Sequence, residues 1–178
     1  KCIYAVDECG APIVSIAGGE PLLHQDMPEI VDTLIKKKKF VYLCTNGLLI
    51  SKNIFDYEPN KYFTFTFNLN GLREDHDKIS GQDGVFETAI QSIKLAKTKG
   101  FRVTINCTVY LHQRIKSLIE FFEFVSKELG VDGINLSPGF SYERASDKEN
   151  FLNRENTKKI FRGVFKSKKF KKWKLNHT

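Results

Sequence analysis

The chain has 178 residues, of which 41% are hydrophobic and 28% are charged, and its formal net charge is +7. This composition is typical of a soluble globular domain, and no apolar run approaches the roughly 20 residues that cross a bilayer. No secretory signal is visible, and the four cysteines have no paired short spacing. The sequence therefore favours reduced thiols in the cytoplasm over a disulfide framework.

Strand-like and helix-like patterns alternate along the chain. The predicted strands cover residues 13–17, 40–45, 62–69, 101–109 and 133–137. The predicted helices cover residues 27–38, 85–99, 115–129 and 155–165. Five strands separated by helices predict an α/β fold with a parallel sheet. Part of a (β/α) barrel fits this order best, and a doubly wound open sheet is the alternative.

The first predicted strand ends in Gly18-Gly19-Glu20-Pro21. Glycine lets a ligand approach the backbone closely. A carboxylate at the carboxyl end of a buried strand lies where α/β proteins bind their ligands. The same residues also suit any tight turn from a strand into a helix, so both interpretations stay open at this point.

Small and polar residues also follow the other four predicted strands. They are Cys44-Thr45-Asn46, Asn68-Leu69-Asn70-Gly71, Asn106-Cys107-Thr108 and Ser137-Pro138-Gly139. The carboxyl ends of parallel strands meet at one edge of a sheet. The pattern therefore predicts a site for a polar ligand with several hydrogen-bonding groups.

These segments resemble the motifs of radical S-adenosylmethionine (SAM) enzymes. Gly18-Gly19-Glu20 resembles the family's GGE motif, and Thr45-Asn46-Gly47 resembles its TNG segment. Residues 68–77 resemble its S-x-D-G…HD stretch, with Asn70 in place of the usual Asp and so with no carboxylate at that position. Three longer segments, residues 9–22, 40–46 and 137–145, resemble the adenosylhopane synthase branch, which is involved in hopanoid lipid biosynthesis.

The resemblance implies a partial (β/α) barrel of the radical SAM type over residues 1–165, with five parallel strands present and the first strand missing. Residues 166–178 hold six lysines around Phe170 and Trp173. They are expected to form a basic aromatic tail that begins a truncated C-terminal region. This tail is either simply solvated or drawn to an anionic membrane surface.

The cofactors implied by the resemblance are SAM and a [4Fe-4S] cluster. The family's CxxxCxxC cluster motif is absent from this sequence. No metal ligand is therefore assigned in this chain, and the cluster cysteines are expected upstream of residue 1. On this interpretation the segment by itself is inactive.

The activity implied for the whole protein is adenosyl transfer, in which a 5′-deoxyadenosyl radical adds to the double bond of diploptene, a hopene. Cys44 is the predicted catalytic residue, because the product radical needs a hydrogen atom and a thiol gives one readily; a buried core thiol is the alternative. Cys107 is the second candidate donor. The predicted SAM contacts are Gly18, Gly19, Glu20, Thr45, Asn46, Asn68, Asn106 and Ser137, and Tyr142, Glu143 and Arg144 are predicted to touch substrate or order the site.

The implied partners are the triterpene, an electron donor such as flavodoxin or ferredoxin, and a membrane surface at the inner face. No nucleic acid is expected. Phe63, Phe65 and Phe67 form either barrel core or a hydrophobic substrate channel. The alternative functions are another radical SAM reaction on a peptide or small molecule, a phosphate-handling (β/α) enzyme, and an inactive remnant or binding fragment.

Overall fold

The computed structural model describes residues 2–141, 148–169, 172–173 and 175–176. Its strands are β1 (Ile13–Ile16), β2 (Phe40–Thr45), β3 (Phe63–Asn68), β4 (Arg102–Val109), β5 (Gly133–Pro138) and β6 (Leu175–Asn176). Its helices are α1 (Cys2–Glu8), α2 (Met27–Lys36), α3 (Ile50–Asn53), α4 (Arg73–Ser80), α5 (Val85–Thr98), α6 (Ile115–Lys127) and α7 (Arg154–Phe165). None of these helices is both long and apolar enough to cross a bilayer, a finding that covers the described residues only.

The strands form one sheet in the order β1-β2-β3-β4-β5-β6. β1 pairs with β2, β2 with β3, and β5 with β6, each in parallel. All five predicted strands are present within a few residues of their predicted bounds. The sixth strand, β6, lies in residues that the sequence analysis assigns to a basic tail.

The chain divides into two compact units. The first unit contains Lys1–Asn68 and Thr88–Thr104, and the second contains Leu69–Glu87 and Ile105–Thr178.

One face of the sheet in the first unit is an aromatic core. Phe63, Phe65 and Phe67 alternate along β3 and are all fully buried. An added Cβ at Gly47 would lie 3.1 Å from the Phe67 ring and 3.4 Å from Cα of Ala89 on α5, so this face packs against that helix. The rings therefore belong to the core and do not line a substrate channel. Burying three phenylalanines stabilises the unit by several kcal/mol, at about 1.5–3 kcal/mol each.

The second unit is built around α6. Its apolar stripe, Leu118, Phe121, Phe122 and Val125, is fully buried. Trp173 is only 5% exposed, and its ring centroid lies 5.3 Å from that of Phe122. Lys169 forms an ion pair with Glu123 of the same helix. Trp173 and Lys169 therefore contact α6, so the described part of residues 166–178 is not wholly solvated.

Candidate active site

The carboxylate of Glu20 joins the ends of β1 and β2. Its Oε1 accepts hydrogen bonds from the Thr45 hydroxyl at 2.9 Å and from the backbone N–H of Leu22 at 3.2 Å. Its Oε2 accepts one from the backbone N–H of Asn46 at 2.8 Å. The structure thus brings together three of the residues predicted at the site, and we call them the Glu20 network.

Gly18 and Gly19 leave the backbone beside Glu20 open. An added Cβ would meet no atom within 4 Å at either position. Gly18 has a φ of +107°, a conformation that a side chain disfavours. The turn therefore needs glycine at position 18 and presents bare peptide groups that a ligand can approach.

The loop after β2 is fixed by contacts that the sequence analysis missed. The Thr45 hydroxyl accepts a hydrogen bond from the N–H of Gly47 at 3.0 Å, and the Ser92 hydroxyl of α5 donates to the carbonyl of Gly47 at 2.7 Å. Asn46 is exposed, and its Oδ1 accepts from the N–H of Leu48 at 2.9 Å. Asn46 therefore holds a local turn with its side-chain oxygen.

Cys44 lies on the polar face of the sheet, opposite the phenylalanine core. Its Sγ lies 3.5 Å from the Ser15 hydroxyl of β1, and it is in register with Thr66 of β3. The hydroxyls of Thr66 and Thr104 lie 2.9 Å apart and are buried. The three hydroxyls form a row across β1 to β4 that also contains the Cys44 thiol. Strand alternation also places Asn68, which is exposed, on this face.

Cys107 lies in a different environment. It alternates with Ile105 and Val109 on the apolar face of β4 and is fully buried, and burial raises the pKa of its thiol well above the ordinary value. Asn106 points to the other face of the strand, where its Oδ1 accepts a hydrogen bond at 2.9 Å from the amide of Asn135 on β5. Ser137, two residues further along β5, is exposed.

Asn70 organises the loop between β3 and α4. Its Oδ1 accepts a hydrogen bond from the N–H of Thr108 at 2.9 Å, and its own N–H donates to Nδ1 of His76 at 3.3 Å. The amide of Gln113 donates to the Asn70 carbonyl, while its Oε1 accepts from the N–H of Tyr110 at 2.9 Å. The amide oxygen of Asn70 therefore serves as a structural acceptor. No local sequence pattern predicts the part played by the buried Gln113.

The adjacent His76-Asp77 pair is also structural. Burial lowers the pKa of His76, which keeps the ring neutral and able to accept the Asn70 N–H. Asp77 accepts hydrogen bonds from the N–H groups of Phe86 at 2.8 Å and Gly84 at 2.9 Å, at the start of α5. These hydrogen bonds lower the pKa of the Asp77 carboxyl, and the bond from Phe86 has the largest effect.

One group of predicted functional residues has no described counterpart. Tyr142, Glu143 and Arg144 lie outside the described residues. Within the described part of the chain, no three His, Cys, Asp or Glu side chains come together in a way that would hold a metal ion. Cys9 is exposed while Cys44 and Cys107 are buried. The described thiols therefore do not fit a [4Fe-4S] cluster.

Comparison with known proteins identifies relatives of this chain. The chain is 26% identical to the Fe-coproporphyrin III synthase of Methanosarcina barkeri over 120 residues, which cover 67% of this chain and 30% of that protein. It is 29% identical to the GTP 3′,8-cyclase of Aliarcobacter butzleri over 163 residues, or 90% of this chain and 50% of that protein. The chain thus spans between about a third and half of the length of these relatives.

The fold matches that of Streptococcus suis SuiB bound to S-adenosylmethionine, with a TM-score of 0.78 at 20% identity over 99% of this chain and 41% of that one. This likeness confirms the predicted fold class, an α/β partial barrel with five parallel strands. Residues 134–178 match a domain of unknown function, DUF3463. Residues 2–125 match the sequence profile of the radical SAM superfamily, whose members use SAM and an iron–sulfur cluster. The chain belongs to the radical SAM superfamily.

Proposed function

We propose that the whole protein is a radical SAM enzyme that joins the adenosyl group of SAM to a hopene in hopanoid biosynthesis. The hopene assignment rests on the resemblance of residues 9–22, 40–46 and 137–145 to the adenosylhopane synthase branch. It does not rest on the relatives reported above, since these are named for other reactions. The observation that carries the proposal is the Cys44 thiol, which lies on the polar face of β2 one residue before Thr45 of the Glu20 network.

The Glu20 network suits the amino-acid end of SAM. An ionised carboxylate has about four acceptor sites, and three of those of Glu20 receive protein donors, so one remains for an ammonium group. The open peptide groups of Gly18 and Gly19 would face the same ligand. SAM supplies the adenosyl group that is transferred. We propose Asn46, Asn68, Asn106 and Ser137 as further contacts to SAM, and Tyr142, Glu143 and Arg144 as residues near the acceptor.

Cys44 supplies the last hydrogen atom in this proposal. A first electron from the reductant would break the C5′–S bond of SAM and release methionine. The adenosyl group would then add as a radical to one carbon of the double bond, which leaves the unpaired electron on the other carbon. The S–H bond of Cys44 breaks and a C–H bond forms there, which leaves a sulfur-centred radical. One electron from a donor such as flavodoxin or ferredoxin, together with one proton, restores the thiol.

The experiment uses the full-length protein, SAM, a reductant and diploptene under anaerobic conditions in D2O. Because thiol hydrogens exchange with solvent, adenosylhopane made by the wild type should carry one deuterium at the new C–H. Cys44→Ala should lower the yield at least tenfold, and the control Cys9→Ala, at an exposed thiol, should leave it unchanged. Equal yield and labelling from Cys44→Ala would remove Cys44 from the mechanism.

A polar acceptor is the second candidate function. The exposed Ser15 hydroxyl beside Cys44 offers a hydrogen bond to a polar molecule, and one relative is named a GTP 3′,8-cyclase. The same assay with GTP in place of diploptene distinguishes the polar acceptor from the hopene. Turnover of GTP without adenosylhopane formation would overturn the hopene assignment and keep the radical SAM assignment.

We also propose that the protein contacts the inner face of a membrane. A hopene is dissolved in lipid, so the enzyme has to reach a bilayer. The solvent face of α7 and the turn after it carry exposed cations and the exposed ring of Phe165, a combination that binds anionic lipid surfaces. These cations are Arg154, Lys158, Lys159, Arg162, Lys166 and Lys168.

A further inference from the structure

An exposed apolar surface lies on the same face of the sheet as Cys44. Ile13 and Phe40 are the first residues of β1 and β2 and are in register with each other. Their side chains are 56% and 43% exposed. The ring of Tyr62, just before β3, contacts the Phe40 ring edge to face, with centroids 5.0 Å apart. We call Ile13, Phe40 and Tyr62 the apolar patch.

Strand alternation places the apolar patch and the Cys44 thiol on one surface. Phe40, Tyr42 and Cys44 are alternate residues of β2, so their side chains point to the same face. On the neighbouring strand, Ser15 follows Ile13 by two residues, and its hydroxyl lies 3.5 Å from the Cys44 sulfur. All of these residues belong to the first unit. The half-buried Tyr42 therefore lies between the apolar patch and the thiol.

The dimensions of this surface suit a long, rigid hydrocarbon. A strand rises about 3.3 Å per residue, so Phe40 and Cys44 are about 13 Å apart along β2. Neighbouring strands are about 4.8 Å apart, so the apolar patch extends about 10 Å across β1 to β3. A fused-ring molecule that reacts at one end needs an apolar surface that leads away from the reacting group, and the apolar patch provides one.

The polarity of the surface changes along the strands. Near the carboxyl ends it carries the Ser15 hydroxyl and the paired hydroxyls of Thr66 and Thr104. Near the amino ends it carries the apolar patch, which cations border: the Lys61 Nζ lies 4.9 Å from the centroid of the Tyr62 ring. Contiguous exposed apolar side chains on a soluble protein mark an interaction site. The apolar half of the surface therefore favours a ligand part without hydrogen-bonding groups.

We propose that the apolar patch binds the fused rings of the acceptor, with the reacting double bond at Cys44 and the farthest ring over Phe40. This inference rests on the proposed function and adds the direction in which the acceptor lies along β2. The side chains of Ile13 and Phe40 offer no hydrogen bond, so a polar acceptor placed over them would lose hydration without compensation. The apolar patch thus selects a hydrocarbon over a polar acceptor.

A matched pair of variants tests the contact at Phe40. In the full-length protein, Phe40→Ser should raise the KM for diploptene about tenfold, because the rings lose apolar contact. The kcat and the deuterium labelling should stay unchanged, because the double bond still meets Cys44. Phe55→Ser, at an exposed phenylalanine outside the apolar patch, is the control and should change none of these quantities. An equal rise in KM for both variants, or a loss of kcat alone, would contradict the contact.

Photo-crosslinking maps the acceptor directly. The full-length protein is illuminated with a diploptene analogue that carries a diazirine on the ring farthest from the double bond. SAM is present and the reductant is left out, so no turnover occurs. Peptide mass spectrometry should find crosslinks at Ile13, Phe40 or Tyr62, and excess diploptene should suppress them. Crosslinks confined to other residues, or crosslinks that excess diploptene does not suppress, would overturn the inference.

The crosslinking result also separates this inference from the proposed function. Adenosylhopane formation by the wild type without crosslinks at the apolar patch would reject the placement of the rings and keep the reaction. Suppressible crosslinks at the apolar patch without adenosylhopane formation would reject the reaction and keep the patch as a hydrocarbon-binding site.

Discussion

At the residue scale, Glu20 has a structural role and a binding role that one substitution can separate. Glu20→Gln keeps one acceptor oxygen but replaces the other with an N–H that faces the donor N–H of Asn46. Hydrogen bonds to charged groups contribute about 1.5–3 kcal/mol, so the free energy of unfolding should fall by about 1–2 kcal/mol. SAM affinity should fall at least tenfold, because an amide does not neutralise an ammonium.

Calorimetric titration with SAM and urea unfolding of the full-length protein measure the two effects of Glu20→Gln. Glu29→Gln, at an exposed glutamate in the first turn of α2, is the matched control. It should leave SAM affinity unchanged and lower stability only by the about 0.3–1 kcal/mol that an acidic residue contributes at a helix N-terminus. Wild-type SAM affinity in a destabilised Glu20→Gln protein would assign the carboxylate to structure alone.

The free energy of unfolding should depend on pH through Cys107, and the burial of its thiol sets the direction. Its pKa in the folded state is raised above the unfolded value of about 8.5. Below pH 8.5 the thiol is therefore protonated in both states and makes no pH-dependent contribution to stability. Above pH 8.5 the unfolded chain loses this proton and the folded chain keeps it. Stability should therefore fall with a slope that approaches about 1.4 kcal/mol per pH unit.

Urea unfolding of the full-length protein between pH 8 and pH 10 tests this slope against that of Cys107→Ala. The cavity in the variant lowers its stability at every pH, but its slope should be shallower than that of the wild type. Equal slopes would mean that Cys107 is accessible to solvent in the folded protein.

At the element scale, the loop that follows β2 depends on close packing at Gly47. This residue has a φ of +84°, and an added Cβ would lie 3.1 Å from the Phe67 ring. Gly47→Ala should therefore destabilise the protein by about 1–3 kcal/mol through overpacking, in addition to the penalty for positive φ. Gly81→Ala isolates that penalty, because Gly81 has a φ of +67° and open space around it. Equal melting temperatures for the two variants would contradict the close packing.

The elements that the sequence predicts are those with strong patterns. The apolar stripe of α6 and the alternating phenylalanines of β3 fix both elements and their buried faces. Helix α4 was missed, because its residues are mostly charged and it buries only His76. The Glu20 network was predictable since its residues end adjacent strands, whereas Ser92 and Gln113 reach the loops from distant positions in the chain with no local signal.

At the scale of the whole molecule, the net charge of +7 includes two clusters of basic residues. Acidic neighbours neutralise one of these clusters more than the other. In the run Lys36–Lys39, Lys36 pairs with Asp32 at 2.6 Å and Lys37 with Asp7 at 2.7 Å. The solvent face of α7 carries exposed Lys158, Lys159 and Arg162, with Glu155 as the one acidic residue of that helix. Membrane attraction should therefore depend on α7 more than on the lysine run.

Co-sedimentation of the full-length protein with phosphatidylglycerol vesicles tests this dependence. Replacing Lys158, Lys159 and Arg162 together with Gln should weaken binding about 100-fold at low salt, from about 1 kcal/mol per basic residue near an anionic surface. Replacing Lys36, Lys37 and Lys38 with Gln removes the same charge and should have a much smaller effect. Equal losses would indicate attraction by net charge alone, and failure of the wild type to bind would reject the membrane contact. Binding should also weaken with added salt, because counterions screen exposed charges beyond about 10 Å at 0.1 M.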